Sequence, residues 1–166
     1  MMDASLQEAE KIVHGSVKRG YEHALALCEQ VLSEAASTPE RYLARDLREA
    51  IFSRLGQFEQ ALDEVAEMIA LESKQPHPYF RRARLLLRMG DEAGAVADFT
   101  KVIELDDGYF EEVALFLRAV ANLEIDKAQS MRDAMLLEDG FSFFARSKRL
   151  GLRELSKEQL LEMAKD

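Results

Sequence analysis

The chain has 166 residues and a net charge of −9, with 48% hydrophobic and 32% charged residues. This composition is typical of a helical domain with a substantial core, and it excludes a disordered chain. The negative charge argues against nucleic acid as the main partner, because phosphate binding calls for a surplus of cations. No apolar run approaches the length that crosses a bilayer, so we expect no membrane span.

Residues typical of catalytic or metal sites are sparse. His14, His23 and His77 are scattered, and none lies in a ligand pattern with another histidine, a cysteine or an acid. Phosphate-binding, dinucleotide-binding and zinc-protease motifs do not occur. We therefore predict no catalytic residues, no cofactor and no metal, so that the protein is not an enzyme. The single cysteine, Cys28, cannot form an internal disulfide, and residues 1–10 lack a signal-peptide stretch, which together predict a cytoplasmic location.

The first predicted helical hairpin covers residues 5–36. It is a loose copy of the second hairpin at a step of 37 residues, and the extra residues fit in a small, polar stretch at 35–40. Within that stretch, Ser37 followed by Pro39 and Glu40 predicts the start of the next helix, with serine as its cap. The matched core positions are Tyr21/Phe58, Ala24/Ala61, Cys28/Val65 and Val31/Met68.

The second and third hairpins, residues 42–75 and 76–109, repeat at a step of 34 residues. Gly56 and Gly90 stand one step apart, each at the predicted end of a helix, where glycine adopts a left-handed conformation without a β-carbon clash. A fixed step of this size is typical of stacked helical hairpins. The other matched positions are Phe52/Leu86, Leu55/Met89, Ala61/Ala95, Leu62/Val96, Val65/Phe99, Met68/Val102 and Ile69/Ile103.

A fourth hairpin is predicted at residues 110–137, and its second half matches less well. Glu124 replaces the glycine. Ala128 and Met135 match Ala95 and Val102 of the third hairpin only after one residue is deleted. The first helix matches better, with the pairs Tyr79/Val113, Ala83/Leu117, Leu86/Val120 and Met89/Leu123.

Residues 138–166 are predicted to cap the array. Phe141–Leu150 is interpreted as a short helix that ends at the following glycine. A last helix, Lys157–Lys165, is opened by the cap pair Ser156 and Gln159. Repeat arrays need a polar-faced terminal element, and this segment is the natural candidate. No stretch alternates between apolar and polar residues for long enough to predict a strand.

The capping segment also carries an aromatic cluster beside a basic cluster. Phenylalanines of this kind usually dock a terminal helix onto the preceding repeat, and we favour this interpretation. The alternative is a second interface with a partner or a membrane surface. The residues are Phe141, Phe143 and Phe144, followed by Arg146, Lys148, Arg149 and Arg153.

The third hairpin resembles the tetratricopeptide repeat. Within residues 76–109, Tyr79, Ala83, Leu86 and Ala95 stand at the size-restricted contact positions of that family. The resemblance implies an all-α fold, a right-handed superhelical stack of three to four helical hairpins with a carboxy-terminal capping helix, in a single domain over residues 1–166. It also implies that the first helix of each repeat lines a concave groove.

The chain departs from the family pattern at several positions. Arg82 stands where the family prefers an aliphatic residue, and Asp107 replaces the usual proline after the hairpin. In the second hairpin, the signature positions of the first helix carry Arg45, Arg48 and Glu49.

Arginines recur in the register of the repeat. Arg54 and Arg88 are one 34-residue step apart, and so are Arg84 and Arg118. Arg84 and Arg88 are four residues apart and share a helix face. The resemblance places these positions in the concave groove, where guanidinium groups are suited to bidentate capture of carboxylates or phosphates.

Alternatives remain open for these residues. The arginines either bind a partner, pair with acids on neighbouring helices such as Glu59, Asp63 and Glu67, or stay solvated. Phe80 and Leu87 either anchor the partner or are ordinary packing. The predicted partner-binding residues are Arg54, Phe80, Arg84, Leu87, Arg88 and Arg118.

These features predict a non-enzymatic protein-binding module, an adaptor or chaperone that holds an acidic peptide segment or a partner protein in a concave groove. Small, acidic, cytosolic proteins with three such repeats resemble the translocator chaperones of bacterial type III secretion. The alternative is a stoichiometric inhibitor, such as an immunity protein that binds and blocks a folded toxin or enzyme domain.

Overall fold

The computed structural model describes residues 3–15, 18–34, 36–105 and 108–165. Most of these residues are in α-helices, with one short β-hairpin, which confirms the predicted helical fold class. The chain divides into two compact units, Met1–Ser73 and Lys74–Asp166, and each is described on its own. A single domain and a right-handed superhelix remain predictions. None of the described helices has the length and apolarity needed to cross a bilayer.

The elements of unit 1 are α1 (Ala4–His14), a 3₁₀ turn (Lys18–Gly20), α2 (Tyr21–Ser33), α3 (Thr38–Leu55) and α4 (Phe58–Leu71). They form two helical hairpins, α1 with α2 and α3 with α4, and α3 also packs against α1 and α2. Leu6, Ala24, Cys28 and Ile51 are fully buried in the core between α1, α2 and α3.

The elements of unit 2 are α5 (Pro76–Met89), α6 (Glu92–Leu105), α7 (Glu111–Asn122), α8 (Lys127–Leu136), β1 (Ser142–Ser147), β2 (Gly151–Ser156) and α9 (Lys157–Lys165). Helices α5 and α6 form one hairpin, α7 and α8 form another, and α6 packs against α7. Strand β1 packs against α5 and α7, and α9 packs against α8. Phe99 and Phe116 are the largest fully buried side chains of this core.

Three predicted helix boundaries in the repeats are confirmed. Ser37 and Glu40 form a reciprocal capping box at the start of α3, and the Ser37 N–H donates to Glu40 Oε2 at 2.9 Å. Gly56 and Gly90 end α3 and α5 in the left-handed conformation, with φ angles of 78° and 85°. Glycine adopts these angles without steric cost, so both helices stop where the sequence places their ends.

The second helix of the fourth hairpin aligns with that of the third when one residue is inserted, whereas the sequence pattern predicts that one residue is deleted. Ala128 and Met135, the predicted matches on α8, are exposed, so the alignment with a deletion is wrong. The buried residues follow the third hairpin at a step of 35 residues instead. The matched positions are Ala95/Ser130, Asp98/Asp133, Phe99/Ala134 and Val102/Leu137.

Strands β1 and β2 form an antiparallel hairpin, so the predicted helix at Phe141–Leu150 is wrong. Ala145 and Ser147 are buried on the inner face of the hairpin, whereas Phe144 is exposed on its outer face. The outer face also carries Leu152. Because these outer residues are apolar, they hide the apolar–polar alternation by which a strand is recognised. The last helix, α9, is confirmed with its predicted bounds.

Ala61 on α4 and Ala95 on α6 are fully buried, one step of the repeat apart. We expect Ala61→Leu and Ala95→Leu each to lower the free energy of unfolding by about 1–3 kcal/mol, because a larger side chain has no space there. Urea unfolding followed by circular dichroism measures the change. Ala66→Leu, at an exposed position of α4, is the matched control and should change stability by less than about 0.5 kcal/mol. Unchanged midpoints in both buried variants would contradict tight packing.

Candidate functional site

Three helical hairpins, α3–α4, α5–α6 and α7–α8, each hold an internal ion pair. The arginine is on the first helix and the carboxylate is on the second. The carboxylate side chains are only 5%, 9% and 1% exposed, so water and salt screen the pairs weakly. The pairs, with their N–O distances, are Arg48–Glu64 (2.7 Å), Arg82–Asp98 (2.7 and 2.8 Å) and Arg118–Asp133 (2.8 Å for both bonds).

The first two ion pairs follow the 34-residue register of the repeat, whereas Arg118 lies 36 residues after Arg82 and Asp133 lies 35 residues after Asp98. Arg48 and Arg82 are 34 residues apart, and so are Glu64 and Asp98. The two arginines are departures from the family pattern, and the paired acids explain them, because each arginine that replaces an apolar contact has its own counter-charge. Sequence reasoning missed these acids, although their 34-residue spacing is visible in the chain.

Local electrostatics keep these arginines charged. Burial disfavours the charge of Arg48, but hydrogen bonds and charge from Glu64 and Glu29 outweigh burial and raise the pKa of its guanidinium. Glu64 also accepts a bond from Arg45 Nη1 at 2.9 Å. In unit 2, the hydrogen bond to Asp98 outweighs burial and raises the pKa of Arg82. The pairs therefore act as permanent links between the helices of a hairpin.

Arg118, one of the predicted partner-binding residues, has its contacts inside unit 2. Besides its bidentate bonds to Asp133, its Nη1 donates to Thr100 Oγ1 at 3.0 Å. The side chain is only 14% exposed. These contacts occupy the guanidinium face that a partner's carboxylate would need, so Arg118 links α7 to α6 and α8 instead.

Phe80 and Leu87, the predicted apolar anchors, belong to the core of unit 2. The Phe80 ring lies 6.0 Å from the Phe99 ring and 5.1 Å from the Phe110 ring, measured between centroids. Leu87 is 1% exposed. These contacts favour the ordinary-packing interpretation, because neither side chain presents much surface to a partner.

Arg54 lies in the last turn of α3, in unit 1. Its Nη1 donates to the backbone oxygen of Val13, near the carboxy-terminal end of α1, at 3.1 Å. A cation at that end offsets the negative pole of the helix dipole. Arg54 therefore has a role in joining α3 to α1.

Arg84 and Arg88 are the predicted binding residues that keep a surface in unit 2. Together with Arg81 they lie along one face of α5 at spacings of three and four residues. We call Arg81, Arg84 and Arg88 the α5 arginine stripe. Arg84 is exposed, and its guanidinium lies over the Phe80 ring, 5.7 Å from the centroid. Arg81 and Arg88 are half-buried.

The inner face of the β-hairpin is docked on α7, so the aromatic cluster docks a hairpin where the favoured interpretation expected a helix. The rings of Phe141 and Phe143 lie 5.6 and 6.0 Å from the Phe116 ring. The tip of the hairpin is also tied to α5, since the Lys148 N–H donates to the Leu87 carbonyl oxygen at 3.1 Å. That carbonyl belongs to the last turn of α5, so the hairpin helps to close the end of the helix.

The rest of the aromatic–basic cluster faces solvent. Phe144 and Leu152 are 58% and 63% exposed. Arg146, Lys148 and Arg153 are exposed too, and within the described ranges none of the three forms an ion pair. We call these five residues the hairpin surface. Arg149, predicted with them, instead pairs with Glu124.

Metal-ligating side chains form no cluster in the described part of the chain. Among these residues, no group of three histidine, cysteine or acidic side chains is placed to hold a metal ion. Cys28 is fully buried. Burial raises the pKa of its thiol to about 11, so the thiol stays protonated at neutral pH. Asp106 and Asp107, the acidic pair at the junction after the third hairpin, lie outside the described residues.

Comparison of the chain with protein-family models, with curated proteins and with solved structures gives no match. The residues of the α5 arginine stripe and of the hairpin surface are therefore the basis for inferring a function.

Proposed function

We propose that this protein is a non-enzymatic protein-binding module of the tetratricopeptide-repeat type, and that its α5 arginine stripe holds an acidic segment of a partner. The placement of three arginines on one face of a single helix is the observation that carries the proposal. The chain as a whole has a net charge of −9, so this face is locally positive on a negatively charged protein.

The chemistry of the stripe suits a carboxylate-rich ligand. Arg81, Arg84 and Arg88 follow one another at about one helical turn, roughly 5 Å, so a peptide lying along α5 meets them in succession. A guanidinium carries several N–H donors in the geometry of a carboxylate, and the Nε of Arg81 already donates to His77 Nε2 at 3.3 Å. Contact between Arg84 and the Phe80 ring restricts the arginine side chain, which lowers the entropy lost when a ligand binds.

The proposed role is that of an adaptor or chaperone in the cytoplasm, which holds an acidic segment without changing it chemically. A single cysteine, which cannot form an internal disulfide, supports that location. An inhibitor of a folded toxin or enzyme domain is the alternative role, and it differs in its ligand. An adaptor of this kind binds an isolated acidic peptide, whereas the inhibitor requires the folded domain.

The test compares charge-reversal variants for binding of an acidic peptide. A fluorescent peptide is selected from a displayed library of acidic sequences, and its affinity is measured by anisotropy. We expect Arg84→Glu/Arg88→Glu to weaken binding about tenfold or more, because attraction becomes repulsion at two contacts. Affinity for the native protein should also fall as salt rises from roughly 0.05 to 0.5 M, since exposed charges are screened.

The matched control reverses two exposed arginines of unit 1, in Arg19→Glu/Arg41→Glu. This variant has the same net charge as the test variant, and we expect it to keep its affinity for the peptide within about twofold. The control variant should melt close to the native protein, because exposed charges contribute little to stability. Arg88 is half-buried, so a melting curve of the test variant checks that it is folded. Equal affinities in the test variant and the control would contradict the role of the stripe. Binding to a folded acidic domain, with none to any peptide, would select the inhibitor instead.

A further inference from the structure

The sheet of unit 2 has only two strands, and its two edges differ. Strand β1 packs against α5 and α7 and continues into the tip, where Lys148 bonds to Leu87. Strand β2 is on the open side, and its residues Gly151, Leu152, Arg153 and Glu154 are all exposed. Four exposed residues in succession indicate that the described residues of unit 2 leave this part of the strand edge open.

The strand register shows which backbone groups of β2 point outward. The Lys157 N–H donates to the Phe141 carbonyl oxygen at 2.9 Å, directly beyond the pair Ser142↔Ser156. Hydrogen-bonded and non-hydrogen-bonded pairs alternate along an antiparallel ladder. The hydrogen-bonded pairs are therefore those of odd-numbered residues, such as Ala145↔Arg153.

The even-numbered residues Leu152 and Glu154 consequently direct their N–H and C=O groups away from β1. In the part of the chain that the structure describes, no backbone group beyond the hairpin bonds to either residue. Together they form a short row of donors and acceptors in the spacing that an added strand requires.

The side chains around this edge have a definite chemistry. Residues 142–156 contain four basic residues and a single acid, Glu154, in a chain of net charge −9. Glu154 accepts a bond from Ser142 Oγ at 3.1 Å, so its carboxylate is already engaged. Arg146 lies directly opposite Leu152 on the outer face, beside the exposed Phe144. A ligand strand at this edge would therefore meet cations and apolar side chains together.

We propose that the edge of β2 binds an extended, acidic segment of a partner protein as a third strand of the sheet. An acidic side chain of that segment pairs with Arg153, which lies opposite Ala145, and apolar side chains at the alternate positions cover Leu152 on the outer face. A second copy of this chain is a poorer occupant. Two copies each carry a net charge of −9, and pairing of their β2 edges brings basic residues of the two hairpins together.

The experiment uses the full chain and a synthetic peptide that alternates glutamate and valine. Amide hydrogen exchange, read residue by residue by nuclear magnetic resonance, should slow at least tenfold at Leu152 and Glu154 when the peptide is saturating, because these amides become hydrogen-bonded. Binding should weaken about tenfold in Arg146→Glu/Arg153→Glu and remain unchanged in the control Arg19→Glu/Arg41→Glu.

Two further changes test the backbone contact itself. Leu152→Pro removes an outward N–H without removing a bond to β1, and proline is tolerated on an open edge. We expect this variant to lose at least tenfold in affinity, whereas Leu152→Thr, which keeps the N–H, loses less. A peptide with alternate amides methylated should fail to bind the native protein, so the test does not depend on folding of the proline variant.

Several outcomes would overturn the proposal. Exchange at Leu152 and Glu154 that does not change with peptide, or equal affinity of the methylated peptide, would exclude strand addition. Loss of binding in Arg84→Glu/Arg88→Glu alone would place the peptide on the α5 arginine stripe. Slow exchange at both amides without peptide, together with dimers in sedimentation, would identify a second copy as the occupant.

Discussion

Asp133→Ala should lower the free energy of unfolding by about 3–5 kcal/mol, the loss typical of breaking a buried ion pair by removing one partner. Asp133 is the most buried of the three paired carboxylates, and it accepts two bonds from Arg118. The Arg118 side chain is only 14% exposed, and without Asp133 its guanidinium loses its counter-charge. Desolvation of that uncompensated charge is the source of the effect. Urea unfolding followed by circular dichroism measures it.

Two variants separate this mechanism from simple loss of side-chain contacts. Arg118→Leu/Asp133→Leu removes both charges and should recover most of the stability, because an apolar pair needs no counter-charge. Asp98→Ala breaks the equivalent pair, but Arg82 is 36% exposed and water reaches it, so we expect a smaller loss than for Asp133→Ala. A double variant as unstable as Asp133→Ala would show that the charge is not the cause.

Phe116→Ala should also lower the free energy of unfolding, by about 3–5 kcal/mol. The Phe116 side chain is fully buried, and it contacts Phe141 and Phe143 on the docked face of the β-hairpin. Removing it leaves a cavity and takes away the surface on which the hairpin packs. Amide exchange in β1 and β2 should therefore rise more than exchange in α5 or α6.

Phe144→Ala is the matched control for that variant. The same side chain is removed from the same hairpin, but Phe144 is 58% exposed, so the change in stability should stay within about 0.5 kcal/mol. Similar losses from Phe116→Ala and Phe144→Ala would contradict the docking of the inner face. The control also removes part of the hairpin surface while leaving the core intact.

Local signals in the sequence predicted much of the fold. Gly56 and Gly90 end their helices because only a residue without a β-carbon adopts the left-handed angles freely. The identity of one residue is therefore enough to predict each helix end. The cap pair Ser156 and Gln159 is equally local, and the Ser156 N–H donates to Gln159 Oε1 at 2.8 Å as the pattern predicts. The β-hairpin was missed because its apolar outer residues look like part of a buried helix face.

The ion pairs depend on contacts that the sequence does not display directly. Arg48 and Glu64 are 16 residues apart on different helices, so their meeting depends on the turn and on how the two helices cross. Pairing with neighbouring acids was an open alternative, but the expected acids were Glu59, Asp63 and Glu67. Of these, Glu67 contacts Arg45, at 3.6 Å. If the second helix is rotated by one residue, a different acid faces the arginines of the first helix. The sequence does not determine that rotation.

The internal ion pairs also affect how a chain of this kind can gain or lose hairpins during evolution. In each case the cation and the buried anion belong to the same helical hairpin, 15 or 16 residues apart. A gene segment that encodes one hairpin therefore carries both halves of the pair. Duplicating or deleting that segment leaves none of these six charged residues without its partner. For these pairs, the array can therefore grow or shrink by whole hairpins without compensating substitutions elsewhere.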